Sequence, residues 1–228
     1  MADLAARVGG FGVTLIPKRA YRTVFASTEN PLSEGGLWVN GGSPSIFSNM
    51  RSTPGLAFGT MQGASVPPYI DSTAVLAGAW TRAQTAAGRV YRTGTPVDYQ
   101  EVELHLLTTI TDTAITGYEF TYSVTSNPYV EIHKWLGGNG NVNQFPLVTS
   151  GTLGAALKTG DWVKATVDNA GLLSLYVDSG SGYALIISGT DTTYTSGAPG
   201  LGHWNNNGGA PGTNSEFGFT EFWARTEF

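Results

Sequence analysis

Cysteine is absent from the 228 residues of the sequence, and charged side chains make up only 13% of them. Without cysteine the chain has no disulfide framework, no thiolate nucleophile and no Cys-ligated zinc site. A charged fraction well below the roughly 25% of ordinary soluble domains argues against long solvated helices and coiled coils. No apolar run reaches the roughly 18 residues of a membrane-spanning helix, so the sequence predicts no membrane insertion.

Glycine and aromatic residues are abundant instead, with 31 Gly, 10 Tyr, 10 Phe and 6 Trp. So many large rings exclude a disordered chain, because they would have to remain in water. Frequent glycine turns between short apolar segments are typical of an all-β protein. The length is sufficient for one large domain with a sizeable core.

The formal net charge of −5 is unevenly divided along the chain. Residues 1–100 carry 8 basic and 5 acidic side chains, whereas residues 101–228 carry 4 basic and 12 acidic ones. Affinity for duplex nucleic acid comes largely from Lys and Arg side chains that neutralise phosphates. We therefore expect no nucleic-acid partner.

The first 24 residues differ from the rest of the chain. They are interrupted by glycine and lack the continuous apolar core, about 7 to 15 residues long, of a secretory signal. We expect cytoplasmic synthesis or a place on a virion or assembly surface, and an extracellular protein only if a signal has been trimmed. The sequence divides into a basic arm or edge strand at 1–24 and a single sandwich domain at 25–228. The basic side chains expected to dock the arm onto an acidic partner are Arg7, Lys18, Arg19 and Arg22.

Alternation of apolar and polar residues predicts three long strands in the centre of the sequence. In the segment 99–106, valine or leucine alternates with Glu101, Glu103 and His105. The segments 117–124 and 128–135 alternate in the same way, and turn-rich connections separate them. This pattern indicates an antiparallel meander with one apolar face and one polar, solvated face.

Shorter strands are predicted on either side of this meander. Gly and Pro turns between residues 35 and 60 separate short apolar runs that would form strands at a sheet edge. The stretch 71–87 holds several alanines and few breakers, so a short helix there competes with strands. The turn residues at 168–171 predict a hairpin. Further strand candidates are the segments 183–187, 199–204 and 217–224.

Three motifs in the central strands resemble those of concanavalin A-like jelly rolls. They are Tyr-x-x-Val-x-Leu-x-Leu at 99–106, Gly-Tyr-x-Phe-x-Tyr at 117–122 and Tyr-Val-x-Ile at 129–132. Later segments keep the order of laminin-G-like and glucanase-like members of this superfamily, at 158–167, 171–178, 197–202 and 217–222. The resemblance implies an all-β jelly-roll sandwich of two antiparallel sheets with little helix. This sandwich carries lectins, glycoside hydrolases, polysaccharide lyases and adhesive modules, so the fold alone does not define a function.

Enzymes of this superfamily use catalytic patterns that the sequence matches poorly. Retaining glucanases carry Glu-x-Asp-x-x-Glu on one strand so that two carboxyl groups flank the scissile bond. Only the alternating pair Glu101 and Glu103 is present here. Alginate-lyase-like members use a Gln-x-His strand, and the matching Glu131 and His133 place a carboxylate where it would repel a uronate. Glu101, Glu103 and His133 are thus weak catalytic candidates, and we expect a non-catalytic protein.

Carbohydrate binding is the function that the polar strand face favours. Sugar hydroxyls need hydrogen-bond acceptors, and pyranose rings stack on aromatic side chains. The predicted strip combines both kinds of group, and its members are Glu101, Glu103, His105, Glu119, Thr121, Tyr129, Glu131, His133 and Trp135. A second candidate is the loop at 203–209, rich in asparagine and glycine, where His203, Trp204 and Asn205 would face a ligand. Plain strand packing and a plain turn are the alternative interpretations.

We expect no cofactor, but the resemblance leaves a structural calcium ion open as an alternative, because many members of the superfamily hold one at a loop edge. Asp168, Asp178 and Asp191 each stand at a turn and are the weak candidates for its ligands. None of them has the alternating Asp/Asn spacing of a dedicated calcium loop. No other cofactor is expected.

Two function classes remain open for a non-catalytic module of this kind. In the first, the protein binds a glycan as a lectin does. In the second, it is a structural protein, such as a surface or capsid decoration protein of a virion, whose arm docks onto other protein subunits. The second class implies a homo-oligomer or a larger assembly. A polysaccharide lyase or glycoside hydrolase is the alternative to both.

Overall fold

Fifteen β-strands run through the described part of the chain, which comprises residues 18–42, 47–61, 71–94, 99–137, 144–205 and 213–227 of this computed structural model. They pair antiparallel into two sheets. Helical structure within the same ranges is limited to short 3-10 turns, such as Asn214–Glu216. The prediction of an all-β sandwich with little helix is therefore confirmed.

The first sheet contains eight strands. They are β1 (Ala20–Thr23), β3 (Met50–Thr53), β4 (Leu56–Gly59), β6 (Gln84–Arg92), β11 (Trp162–Val167), β12 (Leu172–Asp178), β13 (Ala184–Thr190) and β15 (Phe217–Thr226). Their spatial order is β13-β12-β11-β6-β15-β4-β3, and β1 pairs with β15 beside this path. The first described strand of the chain thus lies against the last.

The second sheet contains seven strands. They are β2 (Trp38–Asn40), β5 (Ser72–Leu76), β7 (Gln100–Ile110), β8 (Ile115–Ser123), β9 (Tyr129–Leu136), β10 (Leu147–Thr152) and β14 (Ala198–Asn205). Their order is β10-β9-β8-β7-β14-β5-β2. The predicted meander is confirmed as β7-β8-β9, and β14 joins it from far along the chain.

The core fills the space between the two sheets. The alternating apolar residues of the meander point into it, and so do those of β11, β12 and β15, because side chains of a strand alternate between faces. Fully buried members include Leu104, Phe120, Ile132, Val163, Leu175, Phe219 and Phe222. The polar residues of the meander therefore lie on the opposite, outer face of the second sheet.

Two further strand predictions can be compared with the structure. The stretch 71–87 forms no helix: β5 and the start of β6 occupy it, and the helical alternative is wrong. Ala74 and Ala86 are buried in the core, where space is limited. The high alanine content of this stretch therefore reflects packing in the core and not a helix. The hairpin between β11 and β12 is confirmed, since the N–H of Asp168 donates to the carbonyl of Leu172.

No helix in the described ranges has the length and apolar character needed to cross a membrane.

Candidate functional site

The outer face of the second sheet carries a pocket of about 370 Å³. Neighbouring strands β7, β8 and β9 supply its centre, because the register pairs Glu101 with Ser123 and Thr121 with Glu131. Strand β14 adds Trp204, which lies opposite Glu101. We call it the outer-face pocket, and its lining consists of Asp71, Tyr99, Glu101, Glu119, Thr121, Tyr129, Glu131, His133, Trp135, Phe145 and Trp204.

Glu119 lies in the floor of this pocket and is almost fully buried. Its Oε2 atom accepts a hydrogen bond of 2.6 Å from the indole Nε1 of Trp135. Its Oε1 atom accepts one of 2.8 Å from the hydroxyl of Thr121. One donor on each of its two carboxyl oxygens fixes the orientation of Glu119.

Aromatic rings form one wall of the pocket. The indole of Trp135 meets the ring of Phe47 edge-on at 4.9 Å and stacks on Phe145 at 5.0 Å with an interplanar angle of 23°. The ring of His133 also packs against Phe145, with 5.2 Å between the ring centroids and an interplanar angle of 47°. These ring contacts hold the indole of Trp135 beside the carboxyl group of Glu119.

The rim of the pocket is more accessible than its floor. Tyr99 exposes 57% of its surface, and the side chain of Glu131 exposes 33%. The hydroxyl of Tyr129 donates to Oε1 of Glu101 across the strands. Ring faces and carboxylates thus meet solvent together at the mouth of the pocket.

His133 connects the rim to the loop that precedes β10. Its Nδ1 atom lies 3.1 Å from the carbonyl oxygen of Phe145 and its Nε2 atom 3.0 Å from Oε2 of Glu131. Burial opposes the charged imidazolium, but the hydrogen bond to Glu131 and the charges of Glu119 and Glu131 outweigh it and raise the pKa of His133. The charged ring donates to both partners, whereas a neutral ring can donate to only one.

Several carboxyl groups of the site are shifted toward their neutral form. Burial raises the pKa of Glu101 well above its usual value, and the neighbouring charges of Glu119 and Asp71 add to the shift. Burial also raises the pKa of Asp71, which further shares a hydrogen bond with Glu119. Burial and neighbouring negative charge thus favour the neutral, hydrogen-bond-donating form of Glu101 and Asp71.

Glu103 and His105 lie on the outer face but are not solvated, contrary to the prediction. Both are fully buried, at 0% and 1% exposure, in the floor beside Glu119. Burial raises the pKa of Glu103 and lowers that of His105 to about 4, so burial favours the neutral form of each. The alternation of apolar and polar residues correctly predicted which face of the sheet each side chain lies on. It did not predict that these two side chains would be buried on that face.

The second predicted binding loop requires a correction. His203, Trp204 and Asn205 belong to strand β14, and residues 206–209 lie outside the described part of the chain. His203 points into the core, is fully buried and stacks on Phe217 at 4.0 Å. Asn205 is also fully buried, and its amide nitrogen donates to Asn214. Only Trp204 of this group lines the outer-face pocket.

The aspartates expected to hold calcium lie at separate turns. The carboxylates of Asp168 and Asp178 each accept two backbone N–H groups of their own hairpin turn. Asp191 is held by the ammonium of Lys134 at 2.7 Å and by the hydroxyl of Tyr118 at 2.6 Å. The three carboxylates do not come together, so these residues do not fit a shared calcium site.

The basic residues of the predicted arm do not all project from it toward a partner. Arg7 lies outside the described residues, and Lys18 is the first residue within them. The guanidinium of Arg19 donates to two backbone carbonyls after β5 and lies over the ring of Trp80. Arg22 pairs with Glu221 on β15. Docking of a partner through the arm stays a prediction, and these two arginines already have partners within the chain.

Sequence reasoning missed three residues of the site, Tyr99, Asp71 and Phe145. Tyr99 stands two residues before Glu101, so the alternation of the segment 99–106 could have identified it. Asp71 directly precedes β5, which reaches the meander only through β14. Phe145 belongs to the connection between β9 and β10 and folds back over Trp135. Neither Asp71 nor Phe145 stands in an alternating segment with the other site residues, so no local pattern could have identified these two.

The sequence matches no family model and no curated protein. Solved structures are similar to it in fold at low identity. The carbohydrate-binding module CBM66 from Bacillus subtilis aligns with a TM-score of 0.53 at 13% identity, over 86% of this chain and 96% of the module. The Ca²⁺/Man-bound exoplasmic/lumenal domain of VIP36 aligns with a TM-score of 0.56 at 11% identity, over 91% of this chain and 92% of that domain.

An engineered GH43 glycoside hydrolase with endo-xylanase and exo-arabinofuranosidase activity is also similar, with a TM-score of 0.55 at 11% identity. The match covers 89% of this chain but only 41% of the enzyme. These likenesses and the two antiparallel sheets identify the fold as the concanavalin A-like jelly roll, as the sequence motifs predicted.

Proposed function

We propose that the chain is a non-catalytic module that binds a neutral glycan in the outer-face pocket. The observation that carries this proposal is the convergence of Tyr99, Tyr129 and Trp135 with the carboxyl groups of Glu101 and Glu131 on one pocket. Aromatic rings suit the C–H faces of sugars, and carboxyl groups suit their hydroxyls. The volume of about 370 Å³ lies within the usual range of small-ligand sites.

The charge of the pocket selects among glycans. Asp71, Glu101, Glu119 and Glu131 face it, and His133 is the one basic group in its described lining. Only His133 could neutralise a uronate there, and any ionised carboxylate among the four acidic side chains would repel it, so acidic polysaccharides such as alginate are poor ligands. The folds of CBM66, a carbohydrate-binding module, and of the VIP36 domain, solved with Man, lend support to a sugar ligand.

Calorimetric titration tests this proposal with neutral oligosaccharides of mannose, xylose and glucose, and with alginate oligosaccharides as the charged comparison. We expect a neutral sugar to bind, and Tyr129→Ala to weaken that binding by about 10-fold, which corresponds to ~1.4 kcal/mol. Tyr183→Ala is the matched control, because Tyr183 lies just before β13 of the other sheet. Equal losses in the two variants, or tighter binding of alginate, would contradict the proposal.

Glycoside hydrolysis is a second candidate function, favoured by the unequal environments of the carboxyl groups. Burial raises the pKa of Glu101, as a general acid requires, and Glu119 in the same pocket accepts hydrogen bonds from Thr121 and Trp135. Release of reducing ends from a bound neutral oligosaccharide, and its loss in Glu101→Gln, would support this function. Binding of the oligosaccharide without release of reducing ends would support the non-catalytic module instead.

A further inference from the structure

The floor beneath the outer-face pocket contains three potential metal ligands on two adjacent strands. His105 of β7 pairs directly with Glu119 of β8, and Glu103 stands two residues earlier on the same face. One ligand atom from each side chain lies within 4.8 Å of the other two. All three residues are buried, and they form the one such group in the described part of the chain.

Two of these side chains have no hydrogen-bond partner among the described residues. Both carboxyl oxygens of Glu103 and both ring nitrogens of His105 are buried and unpartnered. Buried polar groups in folded proteins nearly always have a partner, and a carboxyl group without one is costly. Neither side chain is required by the packing of the apolar core, because both point to the other side of the sheet. A bound ion would supply the partner that each of them lacks.

The glycine at position 202 leaves room for the side chains of Glu103 and His105 to lie close together. Gly202 of β14 lies opposite Glu103, and a Cβ atom there would stand 2.2 Å from Oε2 of Glu103 and 2.6 Å from Nε2 of His105. A side chain at this position would force at least one of these two atoms to move. The same two atoms are 3.6 Å from each other. They therefore share a small space that the backbone of β14 closes from one side.

The geometry suits a small divalent ion. Zinc–nitrogen and zinc–oxygen bonds of about 2.0–2.2 Å place the ligand atoms of a tetrahedral ion roughly 3.4 Å apart. The separation of 3.6 Å between Glu103 and His105 is close to this value, and the ligand atom of Glu119 lies within 4.8 Å of those of the other two residues, so a small shift of Glu119 would complete the set. Glu119 is held by Thr121 and Trp135, which orient it as outer hydrogen bonds commonly orient a metal ligand.

The composition of the group selects the metal. Two carboxylates balance the charge of a divalent cation, and a neutral imidazole supplies a nitrogen ligand. Calcium and magnesium prefer sites built from oxygen alone, whereas zinc and similar transition metals accept nitrogen and oxygen together. We propose that Glu103, His105 and Glu119 bind one divalent transition-metal ion of the zinc type, which joins β7 to β8 beneath the outer-face pocket.

Titration of the chelator-treated full chain with Zn²⁺, in the absence of any sugar, tests this proposal. We expect one ion per chain and a rise in melting temperature of about 5–10 °C when zinc is at roughly 100 times its dissociation constant. Glu103→Gln and His105→Gln each remove one ligand and should weaken binding by about 100-fold or more. When Co²⁺ replaces Zn²⁺, the unsubstituted chain should show the visible absorption of a tetrahedral cobalt site. The Glu103→Gln and His105→Gln variants should not show it.

Glu131→Gln is the matched control, since Glu131 lines the same face but does not belong to the three-residue group. It should leave zinc affinity unchanged, although it alters the sugar site, so failure of the metal proposal and failure of the sugar proposal can be told apart. Anomalous scattering at the zinc edge from a soaked crystal locates the ion without any variant. Absence of zinc binding, an ion located elsewhere, or stronger binding of Ca²⁺ would overturn the proposal.

Discussion

Trp135 of β9 donates its indole N–H to Glu119 of β8 over 2.6 Å, with both side chains buried on the outer face of one sheet. This hydrogen bond joins the aromatic wall of the pocket to its carboxylate floor. The position of the ring and the position of the carboxylate are therefore coupled.

Replacement of the indole tests this coupling. We expect Trp135→Phe to lower the free energy of unfolding by about 1.5–3 kcal/mol, because it removes a donor to a buried carboxylate. Urea unfolding of Trp135→Phe, Glu119→Gln and the double variant measures the pairwise energy. Additive effects of the two substitutions would show that the hydrogen bond contributes nothing.

Titration of His133 should respond to its acidic neighbours. Its pKa is raised in the folded chain above the usual value of about 6.5, so the folded state binds the proton more tightly than the unfolded state does. The resulting stability is fully present below that usual value and is lost as the pH rises through the folded pKa. NMR of the imidazole carbon-bound protons measures the shift directly.

The matched variant for this measurement is Glu131→Gln, which removes the charge but keeps the size of the partner. It should lower the pKa of His133, since Glu131 both bonds to the ring and attracts its charge. A His133 that titrates at or below 6.5 in the natural chain would contradict the described contacts.

Asp191 should be a strong contributor to stability, because it joins the connection after β13 to the second sheet. Lys134 and Tyr118 of that sheet both bond to its carboxylate. We expect Asp191→Asn to lower the free energy of unfolding by about 1.5–3 kcal/mol at neutral pH. Asp168→Asn is the control, since Asp168 caps an exposed hairpin turn and has no ion pair within the described chain.

The same substitution should change the acid response. Burial alone would raise the pKa of Asp191, but the bonds from Lys134, Thr193 and Tyr118 outweigh it and hold this pKa below its usual range. Its contribution is therefore present above the unfolded value of about 3.9 and lost as the pH falls further. Urea midpoints of the two chains should approach each other below pH ~4, and a constant difference would refute the assignment.

Gly202→Ala should disturb the floor of the pocket from the side of β14. The added methyl group would meet Glu103 and His105 at distances far below contact, so one of them must move. We expect a loss of about 1–3 kcal/mol in the free energy of unfolding, as for other overpacked sites. Thermal unfolding monitored by calorimetry measures this loss.

Gly154→Ala offers a comparison in open space, because a Cβ atom there has no neighbour within 4 Å. It should leave stability within about 0.5 kcal/mol of the natural chain, as most surface substitutions do. Equal stability of the two alanine variants would mean that the space over Gly202 is larger than the contacts indicate.

Much of the fold could be predicted because its signal is local. A period of two residues fixes which side chains of a strand share a face, and it correctly put Glu119, Glu131 and His133 on the same side. Short turns between consecutive strands then make those strands neighbours, so the meander β7-β8-β9 needed no long-range information.

The remaining features depend on contacts between distant segments. Strand β14 lies between β7 and β5, far from both in sequence. No local pattern in the sequence therefore predicts that Trp204 pairs with Glu101. This placement of β14 also buries His203, whose neighbours in sequence resemble a polar loop. The burial of a side chain on the outer face could not be predicted from the sequence either. Alternation places Glu103 on the outer face, yet the structure shows it completely buried there.

The six tryptophans are divided among three environments. Trp38 and Trp80 belong to the core cluster, Trp162 and Trp223 line a groove on the first sheet, and Trp135 and Trp204 line the outer-face pocket. The chain thus carries an intrinsic optical reporter: a ligand in the pocket should change the fluorescence of two indoles and leave that of the other four constant. Occupancy could therefore be followed without a label, with the distant indoles as an internal reference.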